Sequence, residues 1–201
     1  HPFPERSGRY CRTSFVESKY TLTFLPMSLS DAVTGAIARL EEAAVCAQNA
    51  HTGLPVVLDT NVLLDLYYWN DPRSSALLPL IAAGRVRVLR TAQTMAELAD
   101  VLSREAFCGS LAAAMPLLER AYAQSVPFAG ETATAPVLCR DPDDQKFLDL
   151  AHTAGAAWLV SRDRLVLKAA RKLRRFGIES GTPEVFLGAL TREDSQKSLN
   201  L

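Results

Sequence analysis

The run Val56-Val57-Leu58, followed at once by Asp59-Thr60-Asn61, constrains this chain more than any other segment. Three consecutive apolar, strand-favouring residues leave no polar face. A strand made from them needs cover on both sides, as the strands of parallel sheets have. The polar triplet ends the strand, and Val62-Leu63-Leu64-Asp65-Leu66 reads as the start of a helix.

The same alternation recurs downstream. Ser74 to Ala83 has a helical pattern that Gly84 can terminate. Val86-Arg87-Val88-Leu89 is a second strand, followed by a helix over Ala92 to Arg104. Leu111 to Ser125 is helical, with Pro116 as a break or kink. Val126 to Ala135 reads as loop, and Val137-Leu138-Cys139 as a short extended piece. Asp141-Pro142 opens a helix to Ala154, Ala157 to Val160 is a strand, and Leu165 to Phe176 a basic helix. A last short strand falls between Gly177 and Gly181, and Thr182-Pro183-Glu184 starts a final helix, a cap residue before proline at the first helical position. Strands alternating with helices predict an α/β fold, a three-layer sandwich with a mainly parallel central sheet flanked by helices.

The organised domain is expected over residues 54–190. Residues 1–26 carry Pro2, Pro4 and Pro26 without a convincing period, and read as an irregular N-terminal extension or an appended non-native segment. Residues 27–53 read as an amphipathic helix and linker: Ser28, with Asp31 three residues on, can cap a helix whose Val33, Ile37, Leu40 and Ala44 share one face. Residues 191–201 read as a polar C-terminal tail.

Lys plus Arg equals Asp plus Glu, at 22 each, so net charge selects no partner. Distribution is more informative. Arg162, Arg164, Lys168, Arg171, Lys172, Arg174 and Arg175 crowd one short stretch, so a neutral total hides a basic surface and an acidic site. Cys11, Cys46, Cys108 and Cys139 form no CxxC pair, and with only His1, His51 and His152 a zinc site is not supported. Dispersed cysteines, no bilayer-length apolar stretch and no secretory pattern make the expectation a soluble, cytoplasmic protein with no membrane contact.

Four acids occupy telling places. Asp59 follows the first strand and Asp163 comes shortly after Leu159-Val160, which puts both at the carboxyl edge of the sheet, where open α/β sheets bind ligands. Asp59 or Thr60 can instead simply cap the next helix. Asp144 lines up with the stripe Phe147, Leu148, Ala151 and Ala154, whereas Asp143 and Asp149 project elsewhere. A helix dipole accounts for an acidic first turn but not for an acid on the buried stripe, where a carboxylate needs a partner such as a metal. Glu97 is equally accounted for by a capping box over Thr94-Met95-Ala96-Glu97. Together the acids suit a hard cation, Mg²⁺ or Mn²⁺. Two such ions can activate water and stabilise the leaving oxygen of an in-line phosphodiester displacement. No Ser–His or Cys–His pair suggests covalent chemistry, and His152 is placed on the outer side of its helix.

Val57-Leu58-Asp59-Thr60-Asn61-Val62-Leu63-Leu64 resembles the opening motif of PIN domains, and Glu97-Leu98-Ala99-Asp100-Val101-Leu102 their second acidic block. Arg140 to Ala151 is similar to the third block, as found in a bacterial branch regarded as toxins of toxin–antitoxin pairs. Leu159-Val160-Ser161-Arg162-Asp163 resembles the fourth. The blocks stand in family order over roughly Leu54 to Leu190. The resemblance implies a Mg²⁺- or Mn²⁺-dependent endoribonuclease with Asp59, Glu97, Asp144 and Asp163 as catalytic metal ligands, Asn61 and Ser161 as supporting polar groups, and an RNA substrate. A toxin of this kind has a cognate antitoxin as partner, and a homodimer is expected. Because an acidic centre repels phosphate, Arg162, Arg164, Lys168 and Lys172 are the expected RNA contacts. The alternatives are a catalytically silent PIN-like module that binds RNA or protein, and a haloacid-dehalogenase-like phosphatase. The latter normally needs an aspartate where this chain has Asn61.

Overall fold

The computed structural model describes residues 31–45 and 53–199. The extension 1–26, the cap at Ser28 and the cysteines Cys11 and Cys46 lie outside the described residues.

The chain runs α1 (Asp31–Val45), β1 (Leu54–Leu58), α2 (Thr60–Leu64), α3 (Pro72–Ser75), α4 (Leu77–Ala82), β2 (Val86–Arg90), α5 (Ala92–Ser103), α6 (Leu111–Ala123), β3 (Ser125–Pro127), α7 (Gln145–Thr153), β4 (Trp158–Val160), α8 (Arg164–Ala170), β5 (Glu179–Gly181) and α9 (Pro183–Leu199). All strand pairings are parallel, in the order β3-β2-β1-β4-β5. The expected mainly parallel sheet is thus wholly parallel among the described residues.

Alternation along each strand splits the core into two layers. Val56 and Leu58 of β1, Val86 and Val88 of β2 and Val160 of β4 face one layer, while Val57, Leu89 and Leu159 face the other. The first layer is filled by α1, α2, α5 and α6, the second mainly by α7 and α8. Val56 and Val57 have no exposed surface. Each such fully buried side chain contributes roughly 1.5–3 kcal/mol, which is why the apolar run had to become the central strand. The α1 stripe is seated as its spacing requires, with Val33, Ile37 and Leu40 buried. Arg90, at 2% exposure, joins this helix to the sheet by pairing with Glu41 and stacking on Tyr122.

Several boundaries differ from the sequence reading. The single helix expected over Ser74 to Ala83 is two, because the ring of Pro79 is incompatible with a helical carbonyl at Ser75. Gly84, at φ +68°, closes the second as expected. Pro116, by contrast, sits within α6 without ending it. Ser125, expected to end a helix, and Val126 and Pro127, expected as loop, form the edge strand β3, hydrogen-bonded beside Val88 to Arg90. Its three residues are too few to show a period. Val137 to Cys139 belongs to no strand. The basic helix ends at Ala170 and continues as a tighter three-residue-per-turn helix, Arg171–Phe176, so Lys168 and Lys172 do not keep one α-helical phase with Arg175. The polar stretch from 191 is no separate tail: α9 carries it to Leu199, and Asp194 accepts two hydrogen bonds from Arg85 at 2.7 and 2.8 Å. No described helix is long and apolar enough to cross a membrane.

Candidate metal centre

After β1 the chain builds β2 and β3 on one side of it, then crosses to build β4 and β5 on the other. The switch opens a crevice beyond the carboxyl ends of β1 and β4. Asp59 leaves β1 there, its N–H still donating to the carbonyl of Val160 at 3.0 Å. Its side chain makes no cap for α2. Oδ2 instead accepts from Asn61 Nδ2 at 2.7 Å and from Ser161 Oγ at 2.5 Å. Asn61 and Ser161 therefore both hold the same carboxylate oxygen, and the residue two positions beyond Asp59 acts as an amide donor rather than an acid.

Glu97 comes from α5. The capping-box explanation for it fails: the helix is capped one turn earlier, where Thr91 and Thr94 exchange side-chain and backbone hydrogen bonds. Glu97 is buried at 7% exposure and reaches across to α7. Asp144 ends the tight turn Pro142–Asp144 that leads into α7, whose Phe147, Leu148 and Ala151 are fully buried. Asp141 is spent capping that turn, accepting from the N–H of Asp143 at 3.0 Å, and Asp143 is exposed. Asp144 is thus the N-cap of α7 and not a member of the helix through which its spacing was read.

Asp59, Glu97 and Asp144 each offer an oxygen within 4.8 Å of the others. Asp163 stands outside this triad. Its Oδ1 caps α8, accepting from the N–H groups of Leu165 at 2.6 Å and Val166 at 3.2 Å. It is tied to the site through Ser161, whose Oγ accepts from the Asp163 N–H at 2.9 Å while donating to Asp59.

Burial and mutual repulsion dominate the electrostatics of Asp59 and Asp144. Burial pushes Asp59 up to about 6, against the hydrogen bond from Ser161 and with added repulsion from Glu97 and Asp163. Burial raises Asp144 further, to about 8, reinforced by the charges of Asp59, Asp141, Glu97 and Asp163. Converging carboxylates, two buried and one half-buried, are hard oxygen donors that fit a divalent cation, whose charge would restore the ionised forms.

Two basic residues at the site have roles that the sequence did not suggest. Arg162, an expected RNA contact, is engaged within the fold: Nε pairs with buried Asp65, Nη2 donates to Ser74 at 3.0 Å and Nη1 donates to Glu184 at 2.9 Å. It clamps the β4–α8 loop to the helical turn Asp65–Trp69 that follows α2, to α3 and to α9. Arg164, Lys168 and Lys172 are exposed on the following helices. Lys146 is not among the expected site residues, yet its ammonium pairs with Glu97 and donates to the Asp143 carbonyl. One signal for it exists in the sequence. A lysine in the first turn of a helix opposes the dipole, so a nearby negative group must hold it.

The PIN-domain family model matches residues 55–165, more than half of the chain, from β1 to the start of α8. The chain belongs to the PIN-domain family. PIN domains are generally nucleases, and the match takes in Asp59, Glu97, Asp144 and Asp163. No curated protein matches the sequence.

Proposed function

We propose that this protein is a Mg²⁺- or Mn²⁺-dependent endoribonuclease. The observation that carries the reading is the convergence of Asp59, Glu97 and Asp144 at the switch point of a PIN-domain sheet. These three residues hold the metal, with Asp163 as the fourth acid through the oxygen that does not cap α8. When bound, the metal supplies the charge that activates water and stabilises the departing oxygen of a phosphodiester. Hydrolysis forms one P–O bond to the water oxygen and breaks one P–O ester bond, the departing oxygen taking a proton. Ser161 and Asn61 fix Asp59 in one orientation, so the acid is pre-set for a cation without reorganising. Arg164, Lys168 and Lys172 supply positive charge for the RNA backbone beside the acids.

Similarity of the third acidic block to a bacterial toxin branch supports a finer reading, a toxin acting in the cytoplasm, held by an antitoxin and working as a homodimer. The decisive experiment incubates the purified chain with total RNA and with defined single-stranded RNA and DNA, with Mg²⁺, Mn²⁺ or chelator. Metal-dependent internal cuts in RNA, lost in Asp59→Asn, are expected. RNA binding without cutting would establish the silent-module alternative, and cutting confined to DNA would replace the substrate. Co-purification with a neighbouring gene product and light scattering test the antitoxin and the dimer.

A further inference from the structure

Lys146 lies where a cation is least expected and is nevertheless mostly enclosed, its side chain 11% exposed. Its ammonium pairs with Glu97, one of the three converging acids, donates to the carbonyl of Asp143, and stands 5.2 Å from the ring of Phe147. α7 begins at Gln145, so Lys146 is in its first turn, facing the positive end of the dipole. The acid cluster is what holds it there. Arg162, the other enclosed cation of this region, is committed to Asp65, Ser74 and Glu184.

An ammonium and a divalent ion on one carboxylate repel each other, so a metal taken up by Glu97 weakens its hold on Lys146. A lysine, on a flexible four-carbon stem, can swing away where an arginine fork is fixed by its several bonds. We propose that Lys146 is an exchangeable cation: it neutralises Glu97 while the metal is absent, and turns to a backbone phosphate of the bound nucleic acid once the metal takes Glu97. This inference rests on the metal-dependent nuclease reading. It gives Lys146 a second function in the same centre, as a phosphate ligand available only in the metal-loaded protein.

The test uses the full chain and two readouts that do not involve cleavage. The first is calorimetric titration with Mn²⁺ of the parent and of Lys146→Met, which keeps the apolar stem and removes the charge. The variant is expected to bind Mn²⁺ roughly tenfold more tightly, the size of one charge's effect in a partly buried site. In Ca²⁺, its binding to single-stranded RNA should weaken and the log–log salt slope should fall by about 0.7. Equal or weaker metal binding by Lys146→Met, or an unchanged slope, overturns the proposal. The second readout needs no variant and so does not depend on one folding. Reductive methylation of the parent, read by peptide mass spectrometry, should be slow at Lys146 without metal, several-fold faster in Ca²⁺, and slow again with RNA added, while the rate at Lys168 does not respond to metal. A Lys146 rate indifferent to Ca²⁺ sinks the exchange. If the parent itself takes up no Mn²⁺, the metal-centre reading fails, and the exchange fails with it; metal uptake without the lysine response overturns the exchange alone.

Discussion

Ser161 donates its hydroxyl to Oδ2 of Asp59 at 2.5 Å, joining residues 102 positions apart, and accepts from the N–H of Asp163 at 2.9 Å. One small side chain thereby fixes an acid at the end of β1 to the loop that follows β4. Ser161→Ala should leave the fold intact. It removes the hydrogen bond that pulls Asp59 down against burial, so the carboxyl titrates higher and holds a cation less well. Removing such a supporting bond typically weakens metal affinity by about 10–100-fold. Mn²⁺ titration by calorimetry at neutral pH checks this. Unchanged affinity would show that Asn61 alone suffices to position Asp59.

Asp144 and Asp149 share the segment that forms α7 but should respond oppositely. Asp144→Asn removes a buried acid raised by burial and by its neighbours, so the metal-free protein should melt higher while the melting shift with Mn²⁺ and the cleavage disappear. Asp149, which projects away from the stripe, accepts from the Ala135 N–H at 2.8 Å and from Gln145 Nε2 at 2.7 Å. Asp149→Ala, which removes the accepting oxygen, should lower stability by about 1–3 kcal/mol through the loop these bonds anchor, yet keep metal-dependent cutting. Thermal melts with and without Mn²⁺, beside a cleavage assay, separate the two.

Metal binding should depend on pH in a defined window. Asp59 and Asp144 stand at about 6 and about 8 in the metal-free fold, both above the ordinary 3.8. A group raised on folding favours the folded state below its unfolded value and loses that contribution as pH rises through the folded one. Metal-free stability should therefore decline between about pH 4 and 8. Mn²⁺ needs the ionised acids, so its affinity should rise over pH 6 to 8 with release of protons and level off above. Calorimetry in buffers of different ionisation enthalpy counts those protons, and a flat profile would mean that these acids are not the ligands.

Two sets of basic residues should also diverge. Arg162→Ala leaves Asp65, at 5% exposure, without its guanidinium partner, and breaking a buried pair in this way costs about 3 kcal/mol. Lys168→Ala with Lys172→Ala should leave the melting temperature alone and reduce the salt slope of RNA binding by about 0.7 for each phosphate that is no longer neutralised. Chemical denaturation and fluorescence anisotropy in Ca²⁺ make the comparison. A stable Arg162→Ala with a reduced slope would return Arg162 to the RNA surface.

What the sequence determined by itself was set by short-range rules. Val56-Val57-Leu58 had no polar face, so it had to be covered on both sides, and the acids following β1 and β4 had to emerge at one edge because every crossover returns the chain in the same direction. Helical phase singled out Asp144, but the chain places it in the tight turn before α7, so its meeting with Asp59 and Glu97 is a tertiary outcome. β3 was not legible, since a three-residue strand has no period and exists only because β2 offers it a ladder. Tertiary structure alone decided which polar groups meet across the chain: Arg162 found Asp65 and Glu184, Lys146 found Glu97, and Asp163 gave one oxygen to its own helix. Periodicity tells which face a side chain occupies, but a charge selects its partner by distance and burial, and both are fixed only when remote segments pack together.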